Sequence, residues 1–209
     1  MYLYNLTQFV LGIPAIIIAL TFHEYAHGKV AYILGDPTAR NQGRLTLNPM
    51  AHLDIMGTLL LIVAGFGWAK PVQINPFYFQ MDRRKAMMLV GLAGPVMNLV
   101  LAYLAAVALH IVFQLGISFT WLPIFLRLLI GYNVVLAVFN MIPVPPLDGS
   151  RVLAGLLSHE GAATIYRLET YGPIILLLLI VTGIIRIIVG PIVDIIMTLI
   201  IKISSFTLI

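Results

Sequence analysis

Charge is scarce in this chain, and cysteine is absent from it. Of 209 residues, 12 are Lys or Arg and 8 are Asp or Glu. Charged residues thus make up 10% of the chain, against about 25% in an ordinary soluble domain. The missing cysteine excludes disulfide bonds and thiolate metal sites. Because 61% of the residues are hydrophobic, a polar surface cannot cover the chain, and we expect an all-α polytopic membrane protein.

Long apolar runs predict about five membrane-spanning helices. A helix needs about 20 predominantly apolar residues to cross a bilayer, and five stretches approach or exceed this length. They run over residues 6–34, 83–115, 121–142, 173–189 and 192–209, the last two being separated by a Gly-Pro pair. The apolar stretch Ile55–Phe66 is short for a crossing, so we interpret it as a re-entrant segment.

Two short stretches predict β-structure near the membrane face. Residues Arg44–Asn48 and Ala69–Asn75 alternate apolar and polar side chains with a period of two, and a proline follows each of them. We expect them to form a small β-hairpin or sheet at the cytoplasmic face. Its edge at Arg44–Asn48 and Lys70–Asn75 is a candidate for pairing with an extended substrate strand.

The chain is expected to form a single membrane-embedded domain over residues 1–209. No long polar stretch, repeat or charge block marks a second domain. The core is predicted at 6–150 and the C-terminal spans at 171–209. We expect no cleavable leader, because the first residues carry no basic cluster and the first apolar segment contains the polar motif described below.

The distribution of Lys and Arg predicts the orientation in the membrane. The small net charge of +4 is interpreted as topology, and no nucleic-acid partner is expected. With five spans and one re-entrant segment, ten of the twelve basic residues share the side where the first span ends, and only Arg127 and Arg186 lie opposite. This bias predicts a cell-membrane protein with the N-terminus outside and the C-terminus in the cytoplasm.

A metal-binding pattern lies inside the first predicted span. His23 and His27 are four residues apart, so on a helix both imidazoles can reach one ion, and Glu24 follows His23 directly. This is the arrangement of two zinc ligands and a general base for water. Because ionisable groups are costly in lipid, the cluster indicates function rather than packing.

A catalytic zinc usually has a third protein ligand, and the sequence offers Asp148, His52, Asp54, Asp194 and His110. Asp148 is favoured because three prolines break the chain just before it, and irregular backbone at membrane depth requires a reason. His52 is interpreted as a solvated loop residue. The topology places His110 and Asp194 on the far side.

One face of the span 83–115 carries small residues and one amide. Gly91, Gly94, Pro95 and Asn98 recur at helical spacing, which is typical of a face that another helix approaches closely. Asn98, a polar residue at mid-membrane, is a candidate for a further role.

These motifs resemble those of the site-2 protease family of intramembrane metalloproteases. His23–His27 in a transmembrane helix is similar to the family's zinc motif, and Asn140–Gly149 to its second motif. Gly94-Pro95 with Asn98 resembles a further pattern on an intervening core helix. Order and spacing agree from about Ile16 to Arg151. The chain looks like a compact prokaryotic type without the PDZ insertion or CBS domain of many relatives.

The resemblance implies an intramembrane zinc metalloendopeptidase. Its substrates would be membrane proteins cut within or next to transmembrane segments, for regulated proteolysis or for clearance of remnants. It implies one Zn²⁺ held by His23, His27 and Asp148, with Glu24 as the catalytic base and the site toward the cytoplasm. Asn140 and Asn98 are candidates for binding the substrate or the oxyanion. The alternative is a non-catalytic zinc-binding membrane protein or metal carrier.

Overall fold

The computed structural model describes residues 6–64 and 69–206 and is helical through most of this length. Nine α-helices lie within the described ranges. They are α1 Leu6–Ile33, α2 Thr38–Asn41, α3 Ile55–Ala64, α4 Arg83–Gln114, α5 Trp121–Asn140, α6 Asp148–Leu156, α7 His159–Leu168, α8 Gly172–Val181 and α9 Ile184–Phe206. Two short 3₁₀ turns, Pro49–Ala51 and Pro76–Tyr78, lie in the connections between them.

The length and composition of four helices suit them to cross a membrane. These are α1, α4, α5 and residues 184–205 of α9, and a fifth crossing exists only if α7 and α8, bent by 69°, count as one broken span. A multi-span helical protein is therefore confirmed. The expected break at Gly190-Pro191 is wrong, because both residues lie inside α9. The chain turns instead at Gly183, whose φ of 75° cannot continue a helix.

Helices α1, α4 and α5 form the centre of the bundle through small buried residues. Ala15 and Ala19 on α1 and Ala102 on α4 are 0% exposed, so the helix backbones approach closely. A buried apolar cluster continues from α4 and α5 to α9. Helix α1 runs antiparallel to α4, because His27 contacts Val90 while His23, one turn earlier, contacts Asn98.

The direction of α9 differs from the expected one. The Ser204 hydroxyl near its end lies 3.2 Å from Nδ1 of His110, near the end of α4, so the two helices run parallel. We expected the two ends of the chain on opposite sides of the membrane because five complete crossings were predicted. The ten residues of α8 cover only about 15 Å, and the end of α9 lies at the same end of the bundle as the start of α1. The assignment of the cytoplasmic side stays a prediction.

The predicted β-hairpin is wrong for the described residues, which contain no strand. The only pairing there is an isolated antiparallel bridge between Leu53 and Ala69. In the segment 70–75, the backbone N–H of Val72 donates to Glu24 and that of Asn75 to Asp36. Alternation there reflects the packing of buried Val72 against α1, and the expected edge for a substrate strand is not formed.

The expected re-entrant segment Ile55–Phe66 is described only up to residue 64. Its described part is the short helix α3, whose first turn is capped by the Asp54 carboxylate at 2.8 Å from the N–H of Gly57. Residues 65 and 66 lie outside the described residues. Re-entry into the membrane stays a prediction.

Candidate metal centre

Three ligand atoms converge where α1 meets the start of α6. Nε2 of His23 lies 3.0 Å from Nε2 of His27, and Oδ2 of Asp148 lies 3.1 Å from each of them. The two imidazoles meet because their residues are one helical turn apart on α1. All three side chains are buried, with 5%, 4% and 5% exposure. The structure thus brings together the three residues that the sequence singled out.

Asp148 reaches this point because the proline-rich loop folds back onto the end of α5. Asp148 is the first residue of α6. The next residue, Gly149, has no side chain to hold the backbones apart, and a Cβ there would collide with the carbonyl oxygen of Met141. On its outer side, Oδ1 of Asp148 lies 3.4 Å from the Arg151 guanidinium.

A glycine on α4 makes room for both imidazoles. A Cβ at Gly94 would lie 2.5 Å from Cε1 of His23 and 2.5 Å from Nε2 of His27. One turn earlier, Gly91 faces the backbone of Asp148, whose carbonyl oxygen would lie 3.1 Å from an added Cβ. The small-residue face of α4 therefore packs against both the motif helix and α6, and any larger residue at Gly94 would fill the site.

The second ring nitrogen of each imidazole, Nδ1, donates its N–H to an acceptor. Nδ1 of His27 donates to the backbone oxygen of Val90 at 2.7 Å, and Nδ1 of His23 donates to Oδ1 of Asn98 at 2.6 Å. With the proton on Nδ1, each Nε2 presents a lone pair to the centre, as a metal ligand must. The outer hydrogen bonds thus select the tautomer that can bind zinc.

Three electron-pair donors meet at the centre, and this arrangement suits a cation. A carboxyl group that binds a metal must be ionised, and an imidazole that binds a metal must be neutral. An ionised carboxylate and two imidazole lone pairs then face one another within 3.1 Å, which is repulsive without a positive charge between them. Tetrahedral zinc with ligands at about 2.0–2.1 Å separates them by roughly 3.3 Å, close to the observed spacing.

Glu24 lies beside the centre and is half-buried. Its Oε2 accepts the backbone N–H of Val72 at 2.8 Å. The carboxylate is thereby tied to the extended segment 70–75, which folds over the last turns of α1.

The two asparagines predicted to bind substrate or oxyanion differ in their surroundings. Asn98 is 0% exposed, and its two N–H groups donate to Ala19 O at 3.0 Å and to Asn133 Oδ1 at 2.7 Å. Its amide is therefore committed to neighbours, and it orients His23. Asn140 ends α5, is half-buried, and donates to Leu136 O at 3.0 Å. Its role in binding stays a prediction.

Asn133 was missed by the sequence reasoning. It is 0% exposed in the middle of α5, and it contacts Asn98. An amide inside an otherwise apolar span was the signal that could have identified it.

The other histidines and carboxylates considered as ligands lie elsewhere. His52 is not solvated as expected: it is 1% exposed, and its Nε2 lies 2.8 Å from Thr46 O, so it holds the loop together. His110 contacts Ser204 near the far end of α4, and Asp194 is exposed on α9. Within residues 6–64 and 69–206, His23, His27 and Asp148 form the one cluster with metal-binding spacing.

The chain is similar to several curated proteins. It is 45% identical over 172 residues to "Putative zinc metalloprotease YwhC" of Bacillus subtilis, covering 80% of this chain and 78% of that protein. It is 32% identical over 187 residues to "Putative zinc metalloprotease Rip2" of Mycolicibacterium smegmatis, covering 83% and 68%. It is 30% identical over 154 residues to "Putative zinc metalloprotease MJ0611" of Methanocaldococcus jannaschii, covering 72% of each. No protein-family model and no solved structure matches.

Proposed function

This chain belongs to the site-2 protease-like family of zinc metalloproteases, and from this premise we propose that it is an intramembrane endopeptidase. It would hydrolyse peptide bonds within or next to the transmembrane segments of membrane proteins. The observation that carries the proposal is the buried triangle of two imidazole nitrogens and one carboxylate oxygen. Both imidazoles lie on α1, which is long and apolar enough to span a bilayer.

His23, His27 and Asp148 are the proposed zinc ligands. Two nitrogens and one carboxylate oxygen leave a coordination position open, as catalytic zinc sites do. When bound, zinc would polarise a carbonyl group and lower the pKa of its bound water from about 15.7 to about 7, so that this water becomes a nucleophile at neutral pH. The ligand side chains contribute by holding their lone pairs in place before substrate arrives.

Glu24 is the proposed general base. It accepts a proton from the attacking water and returns it to the nitrogen of the leaving amine, a role worth roughly 10²–10⁴ in rate. The Val72 N–H bonds the carboxylate at 2.8 Å and fixes its direction, because a hydrogen bond to a charged oxygen is among the stronger ones. The second carboxylate oxygen can then face the water.

The depth of the centre supports a substrate that lies in the membrane. His27 and His23 are six and ten residues before the end of α1, which places them about 9–15 Å along the helix from that end. A peptide bond at this depth belongs to a membrane segment, and in a helix its carbonyl is committed to the hydrogen-bond ladder. The substrate must therefore be locally unwound, and water must enter from the loop end, which we assign to the cytoplasm.

The test uses the purified chain in proteoliposomes with a single-span peptide, and mass spectrometry reads the cleavage position. Glu24→Gln is the sharpest variant because a glutamine oxygen can still accept the Val72 N–H. We expect it to retain one zinc per chain while turnover falls at least 10²-fold. Full turnover by Glu24→Gln would remove the base assignment. Cleavage confined to sites well outside the span would contradict intramembrane hydrolysis.

A further inference from the structure

Asn133 has no part in the proposed chemistry, yet it is completely buried beside it. It lies in α5 at 0% exposure. Its Nδ2 donates to Leu129 O at 2.8 Å, and its Oδ1 accepts from Asn98 at 2.7 Å. Asn98 in turn accepts from His23 Nδ1 at 2.6 Å. A continuous chain of hydrogen bonds therefore joins the α5 backbone to the imidazole.

The direction of this chain is fixed by groups that cannot reverse. A backbone carbonyl can only accept, so Leu129 O requires the N–H side of the Asn133 amide. The Oδ1 of Asn133 then faces Asn98 and requires the N–H side of that amide. Oδ1 of Asn98 consequently faces His23 and accepts from Nδ1, which leaves Nε2 without a proton.

The cost of reversing Asn98 shows what Asn133 adds. If the Asn98 amide turned over, its oxygen would face Ala19 O and Asn133 Oδ1, which are both acceptors. Its N–H would then face His23 Nδ1 and favour a proton on Nε2, the atom nearest His27 and Asp148. Two oxygens oppose this reversal in the present chain, and only Ala19 O would oppose it without Asn133.

His27 provides the contrast within the same centre. Its Nδ1 donates directly to the backbone oxygen of Val90, which can only accept. The tautomer of His27 is thus set by the main chain alone. The tautomer of His23 depends on two side-chain amides that could each turn over, and so requires an outer group to fix them.

We propose that Asn133 is a positioning residue that fixes the tautomer of His23 through Asn98 and so keeps Nε2 ready to bind zinc. This inference rests on the proposed role of His23 as a ligand. Groups that orient a metal-ligating histidine typically contribute 10–100-fold to metal affinity.

Three variants separate polarity from packing. Asn133→Leu removes the acceptor for Asn98 and keeps a side chain with the same branched arrangement of heavy atoms. In Asn133→Asp, burial keeps the carboxyl neutral; its O–H can donate to Leu129 O while its other oxygen accepts from Asn98. Val134→Ala is the matched control, because Val134 is the next residue, is also 0% exposed, and is apolar.

Two measurements on the full chain in detergent read the effect without a protease assay. Zinc affinity is measured by competition with a chelating dye, with thermal unfolding as the check on folding. The His23 tautomer is read in the metal-free protein from ¹⁵N-histidine NMR spectra, with His23→Ala identifying its signals. We expect Asn133→Leu to bind zinc at least tenfold more weakly and to show mixed His23 tautomers, while Asn133→Asp remains within about threefold of wild type.

The outcomes are distinct. Unchanged zinc affinity and an unchanged Nδ1–H tautomer in Asn133→Leu would overturn the proposal, and so would an equal loss of affinity in Val134→Ala. Undiminished zinc binding by His23→Ala would remove His23 as a ligand and contradict the proposed metal site. The tautomer of His23 in the metal-free protein would still decide whether Asn133 controls the position of the proton on that ring.

Discussion

Helices α1, α4 and α5 differ from α9 in how closely their backbones pack. In their most apolar stretches, 39% of the α5 residues are buried but only 11% of the α9 residues. Alanines and glycines line the contacts among α1, α4 and α5, whereas α9 presents large side chains outward, such as Ile187 at 74% exposure. His23 and His27 of α1 contact Asn98 and Val90 of α4 at these close contacts. Close packing thus supplies both the space for the imidazoles and the acceptors that orient them.

The comparison is tested most strongly by adding one methyl group in each region. Gly94→Ala places a Cβ 2.5 Å from both imidazoles, so the rings must move, and we expect zinc affinity to fall more than 100-fold with loss of cleavage. Gly190→Ala on α9 is the control, because nothing lies within 4 Å of an added Cβ there. Metal analysis after gel filtration measures both. Stoichiometric zinc in Gly94→Ala would show that the two regions do not differ as described.

A smaller effect, on kcat, is expected where the segment 70–75 contacts Glu24. Val72→Pro removes the N–H that binds Glu24, and losing a hydrogen bond to a charged group costs about 1.5–3 kcal/mol. We expect kcat to fall about tenfold or more while zinc stays bound. Gln73→Pro, one residue on, is the control for the change in backbone. Equal activity of Val72→Pro and wild type would show that the carboxylate needs no such support.

The smallest effect is expected on the outer face of α9. Ile187→Ala should change the free energy of unfolding by no more than about 0.5 kcal/mol, as surface substitutions do, because the side chain is already exposed. Thermal unfolding in detergent is the measurement, with zinc content unchanged. A loss of about 2–5 kcal/mol, the size expected in a core, would mean that another element covers this face.

The sequence predicted the parts of the molecule that local chemistry decides. His23 and His27 follow from helical spacing, and the broken backbone before Asp148 identified the third residue that the structure brings to them. The small face of α4 was recognised as a packing surface, although the sequence could not show that Gly94 lies against the imidazoles. That contact depends on the register between α1 and α4.

The errors arose where tertiary contacts override local patterns. Alternation in 69–75 suggested a strand, but Glu24 and Asp36 take N–H groups that a strand would have paired. The Gly190-Pro191 pair suggested a helix end, but a proline inside a membrane helix loses a single hydrogen bond, which neighbours or local adjustment can offset. Since the predicted helix end at Gly190-Pro191 set the number of crossings, the predicted direction of the last helix was also wrong.

Two histidines of α1 and Asp148 of α6 are proposed to hold a single zinc ion. Zinc-edge X-ray absorption on the purified chain, combined with metal analysis of wild type and Asp148→Ala, tests it most directly. We expect one zinc per chain with two imidazoles in its coordination shell at about 2.0–2.1 Å, and loss of stoichiometric zinc in Asp148→Ala. Zinc that remains fully bound and unchanged in spectrum without the Asp148 carboxylate would contradict it.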